Sequence, residues 1–173
     1  MLAGGLGTTR EVRDEIARHV PRHAFLADAV AAIEGGRIQT LTLDIDDLRT
    51  FAKLKTLWQI TGADSKNVGE ATVVALAVGR KIGAILDDGQ PRTFLEMNHS
   101  SLPLLDTPGL VLHLVDRGVL DMHQAWDALC RMRDQGGFNH RVGRRPKADW
   151  MRRRDYPRLP ALDSPNPTLP PTP

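Results

Sequence analysis

The segment NVGEATVVALAVGRK, residues 67–81, most constrains what this chain can fold into. Its apolar residues fall on nearly every side of a helix, and a helix without a polar face has to be enclosed by other elements. Just beyond it, KIGAIL (81–86) reads as a short strand that ends at the turn residues Asp-Asp-Gly. A buried helix feeding a strand is the signature of a layered fold.

The neighbouring segments continue the alternation. TTREVRDEIARHV predicts a helix capped by Thr8 or Thr9, with Val12 and Ile16 on one face and Pro21 closing it. HAFLADAVAAIEGG predicts a second helix, stopped by Gly35 and Gly36, and RIQTLTL (37–43) a strand. The acids of DIDD open a helix through Trp58 and Ile60. After the Asp-Asp-Gly turn, QPRTFLEM gives one or two helical turns and SLPLLDT a strand. PGLVLHLVDRG and LDMHQAWDALCRMRDQGG give two more helices. Helix and strand alternation predicts an α/β layer fold with parallel strand pairing. The opening MLAGGLGTTR shows no strand pattern.

At 173 residues the chain suffices for one domain and an appendage. It is 41% hydrophobic and 25% charged, a globular balance. The longest apolar run, Ala71 to Val78, falls well short of the roughly 20 residues that a bilayer crossing needs. With no secretion-signal pattern at the start, the expected location is cytoplasmic. Cys130 is the only cysteine, which excludes an intramolecular disulfide and a multi-cysteine zinc site. In its apolar helical setting it reads as a buried small hydrophobe. Trp58 and Trp126 read as core. His19 and His23 are spaced to clamp zinc on a helix, but Pro21 interrupts that face.

Charge is distributed unevenly although the net value is only +2. Residues 139–155 carry seven Lys or Arg against two Asp, and seven of the twelve prolines lie in 157–173. A domain over 1–138 followed by a basic and then proline-rich flexible tail over 139–173 is therefore expected. The tail's cations and Trp150 offer phosphate contacts and base stacking, or simply a solvated arm.

Three places carry acids that invite chemistry, each with a structural alternative. Asp87 and Asp88 stand at the carboxyl end of a strand, where ligands gather in parallel sheets. Side by side they repel, and a divalent cation relieves that repulsion. Alternatively, Asp88 caps the next helix and Asp87 fits the turn. Glu70 begins the buried helix, and with Asn67 it would form a capping box. Glu15 stands near Arg18 on the first helix and would otherwise be a solvated acid.

Together, the order TTREVRDEI, strand, NVGEATVVALAVGRKIGAILDDGQPR and SLPLLDTPGLVLHLVDRGVLD resembles the PIN-domain family of magnesium-dependent nucleases. It is most similar to the toxin-type branch with a Gly-Glu-Ala helix start, an Asp-Asp strand end and a Thr-x-Gly turn. The likeness covers roughly residues 8–138. It implies a three-layer α/β/α sandwich with a short parallel sheet, and hydrolysis of RNA by metal-assisted phosphoryl transfer. Carried over by motif, Glu15, Glu70 and Asp87 match the catalytic acids. Glu70, Asp87 and Asp88 match the ligands of Mg2+ (or Mn2+), and Thr107 matches the hydroxyl residue of the turn, where Pro108 replaces a bulkier residue. Substrate contacts would come from Thr107 and from Arg141, Arg144 and Arg145 in the tail. RNA, a small antitoxin protein and a second copy are the partners implied; a membrane is not.

One departure from the family stands out. The opening apolar strand ending in an aspartate, central in the PIN sheet, has no counterpart, so an N-terminally truncated sheet is expected. Its remaining strands then either close up or leave a groove, because strands flanking a missing neighbour keep unpaired backbone groups. A catalytically impaired PIN-like protein that binds nucleic acid or a protein is the alternative function. A receiver-like signalling domain is a third reading, disfavoured because its acid pair would come early in the chain.

Overall fold

The computed structural model describes residues 5–60, 67–87 and 89–134, with the side chain of Arg133 outside that description. Along the chain run β1 (Gly7–Thr9), α1 (Arg10–His19), α2 (Leu26–Glu34), β2 (Gln39–Leu41), α3 (Ile45–Leu57) and α4 (Val68–Arg80). They are followed by β3 (Ala84–Ile85), α5 (Gly89–Asn98), β4 (Leu104–Leu105), α6 (Thr107–Asp116) and α7 (Met122–Asp134). The architecture is mixed α/β and mostly helical, with seven helices and four short strands among the described residues.

Helix α4 is the buried element its composition requires. Gly69, Ala71, Thr72, Val74, Ala75, Leu76 and Ala77 are all enclosed, and α4 packs against α1, α3, α5, β1 and β3. Its small side chains let these neighbours approach closely. Ala71, Val74, Ala75 and Ala77 share one core cluster with Leu54, Ile60, Ala84, Leu86 and Leu95. A second cluster joins Val111 and Leu112 of α6 to Ala125 and Leu129 of α7. Trp58 and Trp126 are half-buried at the margins of these clusters, not central to them. Trp58 meets Phe94 edge-on, with centroids 5.9 Å apart, a favoured aromatic geometry. Cys130 is likewise only half-buried.

The strands pair in parallel, as the alternation predicted, but in two separate pairs. Gly7, Thr8 and Thr9 face Gln39, Thr40 and Leu41, while Ala84 and Ile85 face Leu104 and Leu105. Among the described residues no hydrogen bond joins the two pairs, so they do not close into a single sheet.

Strand β1 corrects the reading of the opening segment as patternless. Tertiary pairing makes it a strand: Gln39 N–H donates to Leu6 C=O at 2.9 Å. Gly7 leaves room for Leu41, whose Cδ1 lies 2.7 Å from where a Cβ would stand. Helix α5 is longer than one or two turns, running over ten residues from Gly89. Pro91, in its first turn, needs no intrahelical hydrogen bond there and is fully buried.

The joint between α3 and α4 contains the one buried acid among the described residues. Asp44 and Asp47 form a reciprocal capping box at the start of α3. Asp47 Oδ2 also accepts from Arg80 Nε at 3.2 Å and Nη2 at 3.0 Å, and Arg80 Nη2 donates as well to Thr42 C=O. Asp47 is 0% exposed, and its Oδ1 has no hydrogen-bond partner. The expected tail boundary near residue 138 and residues 139–173 lie outside the described residues.

Candidate functional site

Thr9 ends β1 and caps α1, its hydroxyl oxygen accepting Val12 N–H at 3.3 Å. That oxygen is also 3.0 Å from Thr72 Oγ1, and Thr72 donates to Gly69 C=O at 2.7 Å. With the Thr72 hydrogen committed, the Thr9 hydroxyl must donate to Thr72. Three hydrogen bonds in series thus tie the carboxyl end of β1 to the first turn of α4, through two buried threonines.

The same contact brings Glu15 to α4. Its Oε2 lies 3.1 Å from the point where a Gly69 Cβ would stand, and Val12 Cγ2 is equally close. Gly69 therefore serves as the clearance through which α1 crosses α4. Glu70 is the next residue, half-buried in the first turn. Two of the three acid positions selected from the sequence are thus gathered at one helix start. The positive end of the α4 dipole favours both carboxylates there, a structural benefit independent of any ligand.

The capping box expected between Asn67 and Glu70 does not form in the way proposed. Asn67 precedes α4 in the left-handed region, at φ 73°, and its side chain makes no cap hydrogen bond. An Asn side chain caps a helix from extended backbone, so this conformation takes its carbonyl away from the first-turn N–H groups. Its Oδ1 is buried without a hydrogen-bond partner.

Asp87 is at the end of the β3 segment, exposed, and it does not merely complete its local turn. Its carboxylate accepts Thr107 N–H at 2.8 Å on Oδ1 and the Thr107 hydroxyl on Oδ2. Asp106 caps the same helix by accepting Gly109 N–H at 2.8 Å. The start of α6 is therefore held by its own cap and by a carboxylate from the adjacent strand. Pro108 leaves this helix start intact, because a proline in the first turn removes an N–H that has no intrahelical acceptor. Arg92 Nη1 comes within 4.0 Å of Asp106 Oδ2, while its Nε donates to Glu96 at 2.9 Å.

Asp88, Arg141, Arg144 and Arg145 lie outside the described residues. Among the described residues, no group of three or more His, Cys, Asp or Glu side chains is arranged to hold a metal ion. Helix α1 stops at His19, before Pro21, so the paired histidines do not share a continuous helical face. No helix among these residues is long and apolar enough to cross a membrane.

Sequence reading missed the Thr9–Thr72 relay and the Asp47–Arg80 pair. The spacing Asp-x-x-Asp in DIDD signals a capping box, but nothing local points from Asp47 to Arg80. Comparison with protein-family models, with curated proteins and with solved structures finds no match for the chain.

Proposed function

We propose that the chain is a PIN-type, magnesium-dependent endoribonuclease, in the manner of a toxin restrained by a small antitoxin protein. The observation that carries this reading is the approach of Glu15 to the α4 turn that bears Glu70. Carboxylates from separate elements are what a hydrated cation needs, since one helix cannot surround an ion.

Chain geometry sets the distance that Asp87 must cover. Helix α4 has 13 residues, and at about 1.5 Å per residue it rises about 20 Å. Strand β3 begins after three connecting residues and contacts α4. This reading requires Asp87 to come back to the level of the α4 first turn, where β1 also ends.

In this reading Glu70, Asp87 and Asp88 hold Mg2+ or Mn2+, and Glu15 completes the acid set. Arg141, Arg144 and Arg145 contact RNA phosphates, with Thr107 beside the site. The fit to a metal is partial, because the described acids do not assemble as a group of three. Bound magnesium would offset negative charge growing on the phosphate. The protein's own part is to hold carboxylates in register through Gly69 and the threonine relay.

The second reading, an impaired PIN-like protein that binds nucleic acid or a protein, is favoured by one observation. Both oxygens of Asp87 already accept hydrogen bonds from Thr107. The two readings separate with the full chain, single-stranded RNA and magnesium. Cutting that stops with EDTA and with Glu70→Gln supports the nuclease. RNA retention without cutting, and without calorimetric heat from magnesium, supports the binding protein.

A further inference from the structure

We infer that the outward face of α3 is a self-association surface, which takes the α3 of a second copy of this chain in antiparallel orientation. Helix α3 meets the body through Asp47, Phe51, Leu54 and Trp58, which recur every three or four residues and are buried or half-buried. On the opposite side Ile45, Leu48 and Ala52 follow the same spacing and are all exposed, Ile45 at 66% and Leu48 at 47%. Single exposed leucines are ordinary, but the outward face of a helix is normally polar, and an aligned apolar stripe there marks a contact surface. Among the described residues α3 packs chiefly on α4, by way of its other side.

The charges at the margins of the stripe choose the occupant. Asp46 and Lys53 are both exposed, and a spacing of seven residues, about two turns, puts them on the same margin. A two-fold axis midway between them sets Asp46 of each copy against Lys53 of the other. The same axis places the two Leu48 residues about 4.5 Å apart along the helix direction, three residues at about 1.5 Å each. It also brings Ile45 within about two residues of rise from Ala52 of the second copy, where the aliphatic stem of that copy's Lys55 covers it. Arg49 lies near the axis, and its charge is met within its own chain by Asp46, 2.8 Å away. Parallel helices would instead set Asp46 against Asp46 and Lys53 against Lys53. Stripe and charges are thus complementary to themselves about one point, which is what an isologous contact requires.

Other occupants fit less well. Residues 139–155, with seven Lys or Arg, meet margins that already carry Arg49, Lys53 and Lys55. An anionic membrane meets Asp44 and Asp46 at one end of the stripe. A helix of 13 residues is only about 20 Å long, so the contact is small for a specific interface and the dimer forms at high protein concentration. The inference rests on the surface of α3 and not on nuclease activity, so the two stand or fall separately.

Sedimentation equilibrium of the full chain, from about 10 µM to about 1 mM, tests it. The chain should pass from monomer towards dimer over that range. Leu48→Glu should raise the dimer Kd at least about tenfold, because it sets two carboxylates beside each other at the axis. Asp46→Lys and Lys53→Glu should each weaken the dimer to a similar extent. An equimolar mixture of those two variants should dimerise again, since each reversed charge then meets its opposite. All three positions are exposed, and an unchanged far-ultraviolet circular dichroism spectrum verifies the fold of each variant. A chain that stays monomeric at about 1 mM overturns the inference, even if it is retained on anionic phospholipid vesicles. So does a dimer that Leu48→Glu leaves intact, or a mixture that associates no better than its two components.

Discussion

Arg80 and Asp47 meet at the joint of α3 and α4, with Nη2 3.0 Å from Oδ2, and the Asp47 side chain is 1% exposed against 25% for Arg80. A carboxylate so enclosed is tolerable only while its partner neutralises it. Removing one member of a buried pair costs about 3–5 kcal/mol, and the partial exposure of Arg80 places this pair near the lower end. Asp47→Ala, which also deletes half of the capping box, should lower unfolding stability by about 3 kcal/mol. Urea titration followed by circular dichroism measures it; a loss under about 1 kcal/mol would show that the pair is not a structural requirement.

Gly79 is the counterpart of that pair on α4. A Cβ at this position would lie 2.1 Å from Asp47 Oδ1 and 3.3 Å from Cγ. Alanine is normally about 1 kcal/mol better than glycine inside a helix, so the sign of Gly79→Ala decides between propensity and clash. The enclosed carboxylate has little room to yield, and overpacking costs about 1–3 kcal/mol. Net destabilisation is therefore expected from Gly79→Ala, shrinking or reversing when Asp47→Ala is already present. Equal effects of Gly79→Ala in both backgrounds would dissociate the glycine from the acid.

Asp44 links this joint to pH. Its pKa is lowered chiefly by the hydrogen bond from Asp47 N–H; desolvation is the next-largest influence and opposes it, while the hydrogen bond from Asp46 N–H and the charge of Arg80 add to the lowering. A lowered folded pKa means that the unfolded chain binds the proton more readily. The stabilisation is thus full above the unfolded value of about 3.9 and disappears as pH falls through the folded value. Asp44→Asn keeps a good N-cap but removes the titration. Its stability deficit relative to the parent should be constant near neutrality and shrink below about pH 4. Unfolding midpoints measured along that range give the answer; a deficit that widens on acidification contradicts the assignment.

What was legible in the sequence follows physical locality. Helix α4 could be read because apolarity on all sides requires enclosure whatever the neighbours are, and α1, α3 and α6 could be read from their start and stop residues. Strand β1 could not, because Gly7–Thr9 owes its conformation to pairing with Gln39–Leu41 and to the space that Gly7 leaves for Leu41. The Asn67 cap failed for a related reason: residue type suggested a cap, but the backbone at φ 73° forbids it. Glu15 and Glu70 were selected separately, and the approach of Glu15 to the first turn of α4 depends on the crossing of α1 over Gly69, which no local pattern encodes. Asp87 and Thr107 were also both selected, but the hydrogen bonds between them depend on the pairing of β3 with β4.

That last contact makes a distinct prediction about Asp87. If its main role is to hold the start of α6, Asp87→Asn should retain one acceptor oxygen and lose charge-assisted strength, while Thr107→Val should lose the hydroxyl donor and keep the backbone one. Each exposed change should cost about 1 kcal/mol, and both should speed amide exchange in the first turn of α6. The pair should be non-additive, because both substitutions weaken the same hydroxyl contact. Magnesium distinguishes anchor from ligand. An anchoring carboxylate gives the same double-mutant coupling with and without the ion, whereas a carboxylate that also holds magnesium shows coupling that falls when the ion is added. Additive effects in the absence of magnesium would remove the anchoring role, leaving the Asp87–Thr107 contact without energetic consequence.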